Sequence, residues 1–240
     1  MNIPTLFHIT HWKAGSQWVA KVLKELFPDE IIPPRIAAAQ VLQMPIQEHK
    51  IYLCVYIAKG QWDRIQLPKE TRRFLIIRDL RDTLVSAYFS MRYSHPIMIN
   101  QMEEWRNFLR TNSLRDGMVY LMENWLPDSA NIQRSWLKAG EKFFRFEDIL
   151  KSDIFYFEKI LIDHCQLPIE KAMLRDVVQR NRFITLSKGR NPGAEDRLSH
   201  YRKGLPGDWQ NYFSEETKKE FKKRFNDVLN LTGYVDNDTW

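Results

Sequence analysis

Two short runs constrain the fold of this chain more than any other feature: residues 51–57 (IYLCVYI) and 74–77 (FLII). Both are β-branched, aromatic or aliphatic with no polar alternation. A strand with one wet face alternates; a strand apolar on both faces belongs in the centre of a parallel sheet covered by helices. The flanking sequence supplies those helices. Residues 5–10 (TLFHIT) read as a further strand, and a helix follows from about Ser16 to Phe27 with Val19, Val22, Leu23 and Leu26 on one face. Pro28 and the Pro33–Pro34 pair stop it. Asp82 is expected to cap a helix running to about Arg92. Residues 94–113 are expected to be irregular or partly helical, and helix returns from about 115 to 138. KFFRF at 142–146 reads as a short strand, with helices at about 153–165, 168–180 and 214–230. This alternation predicts an α/β fold with three layers, a mainly parallel central sheet flanked by helices. No segment reads as a linker, so one domain over residues 1–240 is expected.

Composition removes several classes. The longest unbroken apolar run, Ile51–Ala58, is far short of the roughly 20 residues of a membrane span. The start, MNIPTLFHIT, lacks a basic segment followed by an apolar one, so no secretory leader is expected. The two cysteines, Cys54 and Cys165, form no paired metal knuckle and no disulfide framework, which makes a reducing cytoplasm the expected location. The formal charge of +6 favours an anionic partner without naming one.

Three segments give that anion a shape. The loop HWKAGS (11–16) joins a strand to a helix, where open α/β sheets bind ligands and where helix N–H groups attract phosphate or sulfate. Gly15 permits close backbone approach, Ser16 brings a hydroxyl and Lys13 a mobile charge. Lysine precedes the glycine, unlike the GxxxxGK[ST] loop of magnesium-dependent nucleotidases. In FLIIRDLRDTLVSAYFS (74–90), Arg78 ends an apolar strand and Ser86 follows eight residues later; Arg78 and Arg81 could equally pair with Asp79 and Asp82. In RKGLPGDW (202–209), two cations enter a glycine loop suited to a phosphate, or to a solvated turn.

Taken in this order, the segments resemble the sulfotransferases that use 3′-phosphoadenosine 5′-phosphosulfate (PAPS). Lys13, Gly15, Ser16 and Trp18 match the KSGTTW-type motif; Arg78 and Ser86 match the 3′-phosphate motif; residues 202–204 and 207–209 match RKGxxGDW. Phe146–Glu147–Asp148 resembles YED, and Phe183 with Leu186 resembles FxxM. The resemblance implies a P-loop-like sulfotransferase fold with PAPS as co-substrate and no metal. It implies that Lys13, Ala14, Gly15, Ser16 and Gln17 cradle the 5′-phosphosulfate, and that Trp18 stacks on adenine with Phe183 opposite and Asn181 nearby. Arg78, Ser86 and Arg202 would hold the 3′-phosphate with the backbone of Lys203 and Gly204. Lys13 would stabilise the bridging oxygen of the leaving group.

One departure stands out. Family members often carry a KTH segment whose histidine deprotonates the acceptor; here Lys59 matches the lysine and Gln61 stands at the histidine. Asp63 is the first candidate base, or else a solvated turn carboxylate; His11 and His49 are others, with His49 expected at the far end of the sheet. Residues 88–108 supply Met and aromatic side chains for an apolar acceptor pocket or for the core. The expected acceptor is a small-molecule, glycan or lipid hydroxyl, less favourably an amine. Two readings compete: a module that binds PAPS or its product without turnover, and a basic nucleic-acid binder. Convergence of the cations on one nucleotide disfavours the second, so no nucleic acid is expected.

Overall fold

The computed structural model describes residues 3–237, 239 and 240, which fall into two compact units: residues 3–78 with 131–182, and residues 79–130 with 183–237, 239 and 240. The first unit holds the sheet. Strands β1 (Thr5–Thr10), β2 (Ile31–Ile32), β3 (Ile51–Val55), β4 (Thr71–Ile77) and β5 (Phe143–Arg145) lie in the order β2-β3-β1-β4-β5, and every neighbouring pair is parallel. Residues of β1 and β3 are buried throughout, as two-sided burial requires. The predicted α/β class, a parallel sheet flanked by helices, is the observed one. The two-residue strand β2 has no periodicity to betray it; it ends where Pro33 removes the next donor.

The Ser16–Leu26 helix follows β1 and packs on β3 through its buried stripe of Val19, Val22, Leu23 and Leu26. The strand order makes β1 and β4 the pair from which the chain departs in opposite directions. In open α/β sheets the ligand crevice lies outside the carboxyl ends of such a pair. Here those ends are Thr10 and Ile77, each followed at once by the loop or junction that the sequence singled out. Thr10 Oγ1 donates to the Ile76 carbonyl at 2.9 Å, tying the two ends together.

The second unit is helical: Leu80–Phe89, Asn100–Thr111, Leu114–Asn124 and Glu215–Thr232 are its main helices. Two expectations need correction. The cap of the Leu80–Phe89 helix is Asp79, whose carboxylate accepts from the Arg81 N–H and forms a buried ion pair with the Arg81 guanidinium. That leaves Asp82 for another task, described below. Residues 94–113 are partly helical, as expected: Asn100–Thr111 form a regular helix whose buried Trp105 and Leu109 are one turn apart. The expected single helix over 115–138 breaks at Trp125 (φ −134°, ψ −46°), and a new helix runs Leu126–Lys138. Pro127 is the cause: it lacks an N–H and its ring would strike the carbonyl four residues back, so it is tolerated only in a first turn. Cys54 and Cys165 are both buried free thiols. Among the described residues, no helix is long and apolar enough to cross a membrane.

Candidate functional site

In the first unit, the loop after β1 turns on two left-handed residues, Lys13 (φ 67°) and Gly15 (φ 76°). Gly15 is the N-cap of the following helix, and it offers no side chain to the first N–H groups. Phe146 adds a steric demand that the sequence did not reveal: a Cβ on Gly15 would stand 2.1 Å from its ring. The same ring lies beneath the Arg78 guanidinium, 5.2 Å from centroid to Cζ, and meets Trp18 edge-on. Arg78, at the end of β4, donates through Nη1 to the Lys13 carbonyl at 2.9 Å. The loop and Arg78 are therefore joined in one structure, and Lys13 itself is half-buried.

Ser16 does not serve as the N-cap; its hydroxyl shares a 2.9 Å hydrogen bond with the Tyr56 phenol, which stacks on Trp12. Burial pushes the Tyr56 pKa up, so this pair stays neutral. Ala14 is fully buried and Gln17 is exposed. Trp18 is nearly buried, edge-on to Phe146 and Phe157, and its Nε1 is buried without a partner. Asn181 donates to the Glu25 carboxylate at 2.7 Å and to the Val177 carbonyl at 2.9 Å, so its amide N–H groups are occupied by the ends of two helices.

The candidates for a general base separate cleanly. Lys59, at the start of the Lys59–Trp62 turn of helix, forms an ion pair with Asp63 one turn on, and Asp63 is 54% exposed. Gln61 accepts from the Ala58 N–H through its side-chain oxygen at 3.3 Å, a helix-start role that suits glutamine, while Ala58 has no side-chain acceptor to return. His11 is fully buried, and burial lowers its pKa to about 3. His49 donates its backbone N–H to Thr5 Oγ1 at the start of β1, and its ring nitrogen meets the Ile3 carbonyl, which places it at the opposite end of the sheet from Lys13. An open cleft of about 590 Å³ in this unit has Leu42, Met44, Gln61 and Arg64 on its walls.

The second unit carries the other candidates. Ser86 is, among the described residues, the one position of the Leu80–Phe89 helix that is not buried. Phe183 packs on the backbone of Gly204, where a Cβ would come within 2.5 Å of its ring, and Arg190 lies over the ring at 5.5 Å. Arg202 pairs with Glu195 and Asp208 and lies 4.6 Å over the Phe89 ring; Lys203 also pairs with Asp208. Burial raises the Asp208 carboxyl, but hydrogen bonds from Lys203, Asn211 and Arg202 outweigh it and hold the group below the usual range. The RKGLPGDW segment thus brings its own counter-ion. Asp82 fixes the loop from beneath, accepting from the N–H groups of Gly207 (2.6 Å) and Trp209 (3.0 Å). Arg81 lies against both Trp209 and Trp240, 4.1 and 4.4 Å from their centroids. Spacing along the chain could not have shown these partners. Of residues 88–108, Tyr88, Phe89, Met91 and Trp105 are core, whereas Ile97, Met98 and Ile99 are exposed.

Comparison with known proteins agrees with this fold. The family model of the sulfotransferase domain matches residues 66–233. A flavonol sulfotransferase-like protein of Flaveria bidentis is 28% identical over 180 residues, covering 68% of this chain and 56% of the relative, so the chain spans just over half the length of that relative. Sulfotransferase 6B1 of Danio rerio is 22% identical over 239 residues, covering 93% of this chain and 78% of the relative. The crystal structure of mouse sulfotransferase SULT7A1 complexed with PAP superposes with a TM-score of 0.67 at 17% identity, covering 96% of this chain and 88% of that one. Retinol dehydratase in complex with androsterone and the inactive cofactor PAP gives 0.60 at 16% identity, with 94% and 80% coverage. At these identities the structural likeness establishes the fold, and the domain match, which extends over more than half of the sequence, establishes the kinship: the chain belongs to the sulfotransferase domain family.

Proposed function

We propose that this protein transfers a sulfuryl group from PAPS to a hydroxyl of a small-molecule, glycan or lipid acceptor, and that no metal takes part. The observation that carries the reading is the junction of β1 and β4, where the loop of Lys13 and the guanidinium of Arg78 are joined by a hydrogen bond at the mouth of a parallel sheet. Such a junction suits a dianionic nucleotide: charge and helix N–H groups meet a 5′-phosphosulfate, and an arginine fork meets a phosphate. Residues 13–18, Arg78 and Asn181 of the first unit, and Ser86, Phe183, Arg202, Lys203 and Gly204 of the second, are assigned to the nucleotide.

In the reaction the acceptor oxygen forms a bond to sulfur as the bond between sulfur and the bridging oxygen breaks. Adenosine 3′,5′-bisphosphate (PAP) leaves, and the acceptor proton passes to a base. Charge grows on the bridging oxygen, where the Lys13 ammonium stabilises it. Lys59 and its partner Asp63 are assigned to the acceptor side, Asp63 as base; the ion pair orients the carboxylate. The cleft walled by Gln61 and Arg64 gives the acceptor a half-apolar surface in the same unit.

The capping role of Gln61 favours a second reading, a module that binds PAPS or PAP without turnover, since no imidazole stands at that place. Transfer of radiolabelled sulfuryl from PAPS to a panel of phenols, alcohols and amines separates the two. Labelled product that disappears in Lys13→Ala, with PAP binding retained, is the expected result. PAP binding with no transfer to any acceptor establishes the module instead. Tight binding to nucleic acid that PAP does not displace rejects both.

A further inference from the structure

His11 has no part in the chemistry proposed above, yet it is fully buried at the junction of β1 and β4. Its Nδ1 lies 3.0 Å from the Trp12 carbonyl. Its Nε2 lies 3.0 Å from the backbone nitrogen of Arg78 and 2.8 Å from Nε2 of Gln133, on the Leu126–Lys138 helix. The Gln133 amide, itself fully buried, also donates to the Arg78 carbonyl at 2.7 Å. The groups around the ring fix its state. A carbonyl can only accept, so Nδ1 carries the hydrogen; the backbone N–H and the amide N–H can only donate, so Nε2 presents its lone pair. An imidazolium would set a third donor against two, beside the Arg78 cation. Burial, opposed by the Trp12 hydrogen bond and aided by the charge of Arg78, accordingly lowers the pKa of this ring to about 3.

Three bonds therefore clamp Arg78: His11 on its N–H, Gln133 on its carbonyl and the Lys13 carbonyl on its guanidinium. His11 also holds Trp12, the residue before Lys13. We propose that His11 is a positioning residue: its ring joins the Lys13 loop to the backbone of Arg78, so that both cations meet the nucleotide in one fixed register. This rests on the nucleotide reading above and adds to it a role for a residue that neither touches the nucleotide nor moves a proton. The ring has two separable functions, a donor to Trp12 and an acceptor for Arg78. Glutamine keeps an acceptor, asparagine keeps a donor, and phenylalanine keeps neither.

Two measurements test it on the full chain. Nitrogen NMR with labelled histidine should show an unprotonated Nε2 and a protonated Nδ1 on His11 from pH 8 down to about pH 4.5; a ring that titrates near 6.5, its ordinary value, overturns the proposal. Calorimetric titration with PAP and with adenosine 5′-phosphate reads the register. His11→Phe should weaken PAP about tenfold or more, from an orphaned buried N–H, and weaken the monophosphate far less. His11→Gln should stay within about threefold of wild type, while His11→Asn should resemble phenylalanine. In an Arg78→Ala background the His11→Phe effect should vanish. Equal losses for both nucleotides, or an undiminished loss without Arg78, overturn the proposal. If His11→Phe fails to fold, the asparagine and glutamine variants and the NMR arm decide alone. A locked, neutral His11 in a chain that does not bind PAP refutes the nucleotide reading alone; a titrating His11 in a chain that binds PAP refutes the positioning role alone.

Discussion

Gly15→Ala is the sharpest probe of the loop, because the structure assigns it two separate penalties. The backbone at Gly15 is left-handed, with φ 76°. Placing a Cβ there costs about 1–2 kcal/mol for the conformation alone. The added carbon would also stand 2.1 Å from Cε2 and 2.5 Å from Cδ2 of Phe146, which is overpacking against a rigid ring. Such overpacking costs about 1–3 kcal/mol, so the total loss is about 2–5 kcal/mol. For a chain of this size that lowers the melting temperature by about 5–20 °C. Urea unfolding of wild type, Gly15→Ala, Phe146→Leu and the double variant measures it. The overpacking part should be recovered when the ring is removed, so the double variant should lose less than the two single losses combined, by about 1 kcal/mol or more. A Gly15→Ala protein within about 0.5 kcal/mol of wild type, or strict additivity with Phe146→Leu, would refute the reasoning. It would return Gly15 to the simpler role of admitting an anion.

Acid should destabilise the protein through two buried imidazoles. His8, stacked on Phe74, and His11 have folded pKa values lowered to about 3 by burial. The unfolded rings take up a proton near 6.5, so stability is full above that pH and falls as pH drops toward 3. Each contributes a loss of about 2 kcal/mol between pH 7 and pH 5, and His8→Phe should remove about half of the slope measured by urea unfolding; an unchanged slope contradicts the assignment. Asp82→Ala orphans two backbone N–H groups of the 202–209 loop, at about 2–4 kcal/mol of stability, and should weaken PAP; a calorimetric affinity equal to wild type would detach this loop from the nucleotide. Arg202→Ala should weaken PAP much more than adenosine 5′-phosphate, and parallel losses would count against its assignment to the 3′-phosphate. Asp63→Asn should lower the transfer rate while leaving donor affinity alone, and an unaltered pH–rate profile would eliminate Asp63 as the base.

The sheet was legible because two-sided burial leaves a mark that few other arrangements make: Ile51–Val55 and the FLII run at 74–77 are stretches that cannot be half wet. The loop residues were legible because Lys13, Gly15 and Ser16 sit between a strand and a helix, where local sequence decides geometry. What stayed hidden was long-range. Nothing in the chain order says that Phe146 will lie under Gly15, or that His11 will meet Gln133 across 122 positions. Asp82 looked like a cap because aspartate favours helix starts, but Asp79 caps the helix and pairs with Arg81 at once, which releases Asp82 to hold residues 207–209. Pro127 was a local signal that could have divided the 115–138 helix. The counter-ions of Arg202 and Lys203 were in view in the sequence as Glu195 and Asp208, yet only the folded loop brings them together.

The central claim is that the cations of this chain serve one adenine nucleotide bearing a 3′-phosphate. Calorimetric titration of the wild-type protein with PAP and, separately, with adenosine 5′-phosphate tests it most directly. The account predicts saturable one-to-one binding of PAP, at least about tenfold tighter than the monophosphate, since a charge-assisted contact to the extra phosphate is worth about 1.5–3 kcal/mol. Equal affinity for the two, or no binding of PAP, would contradict it.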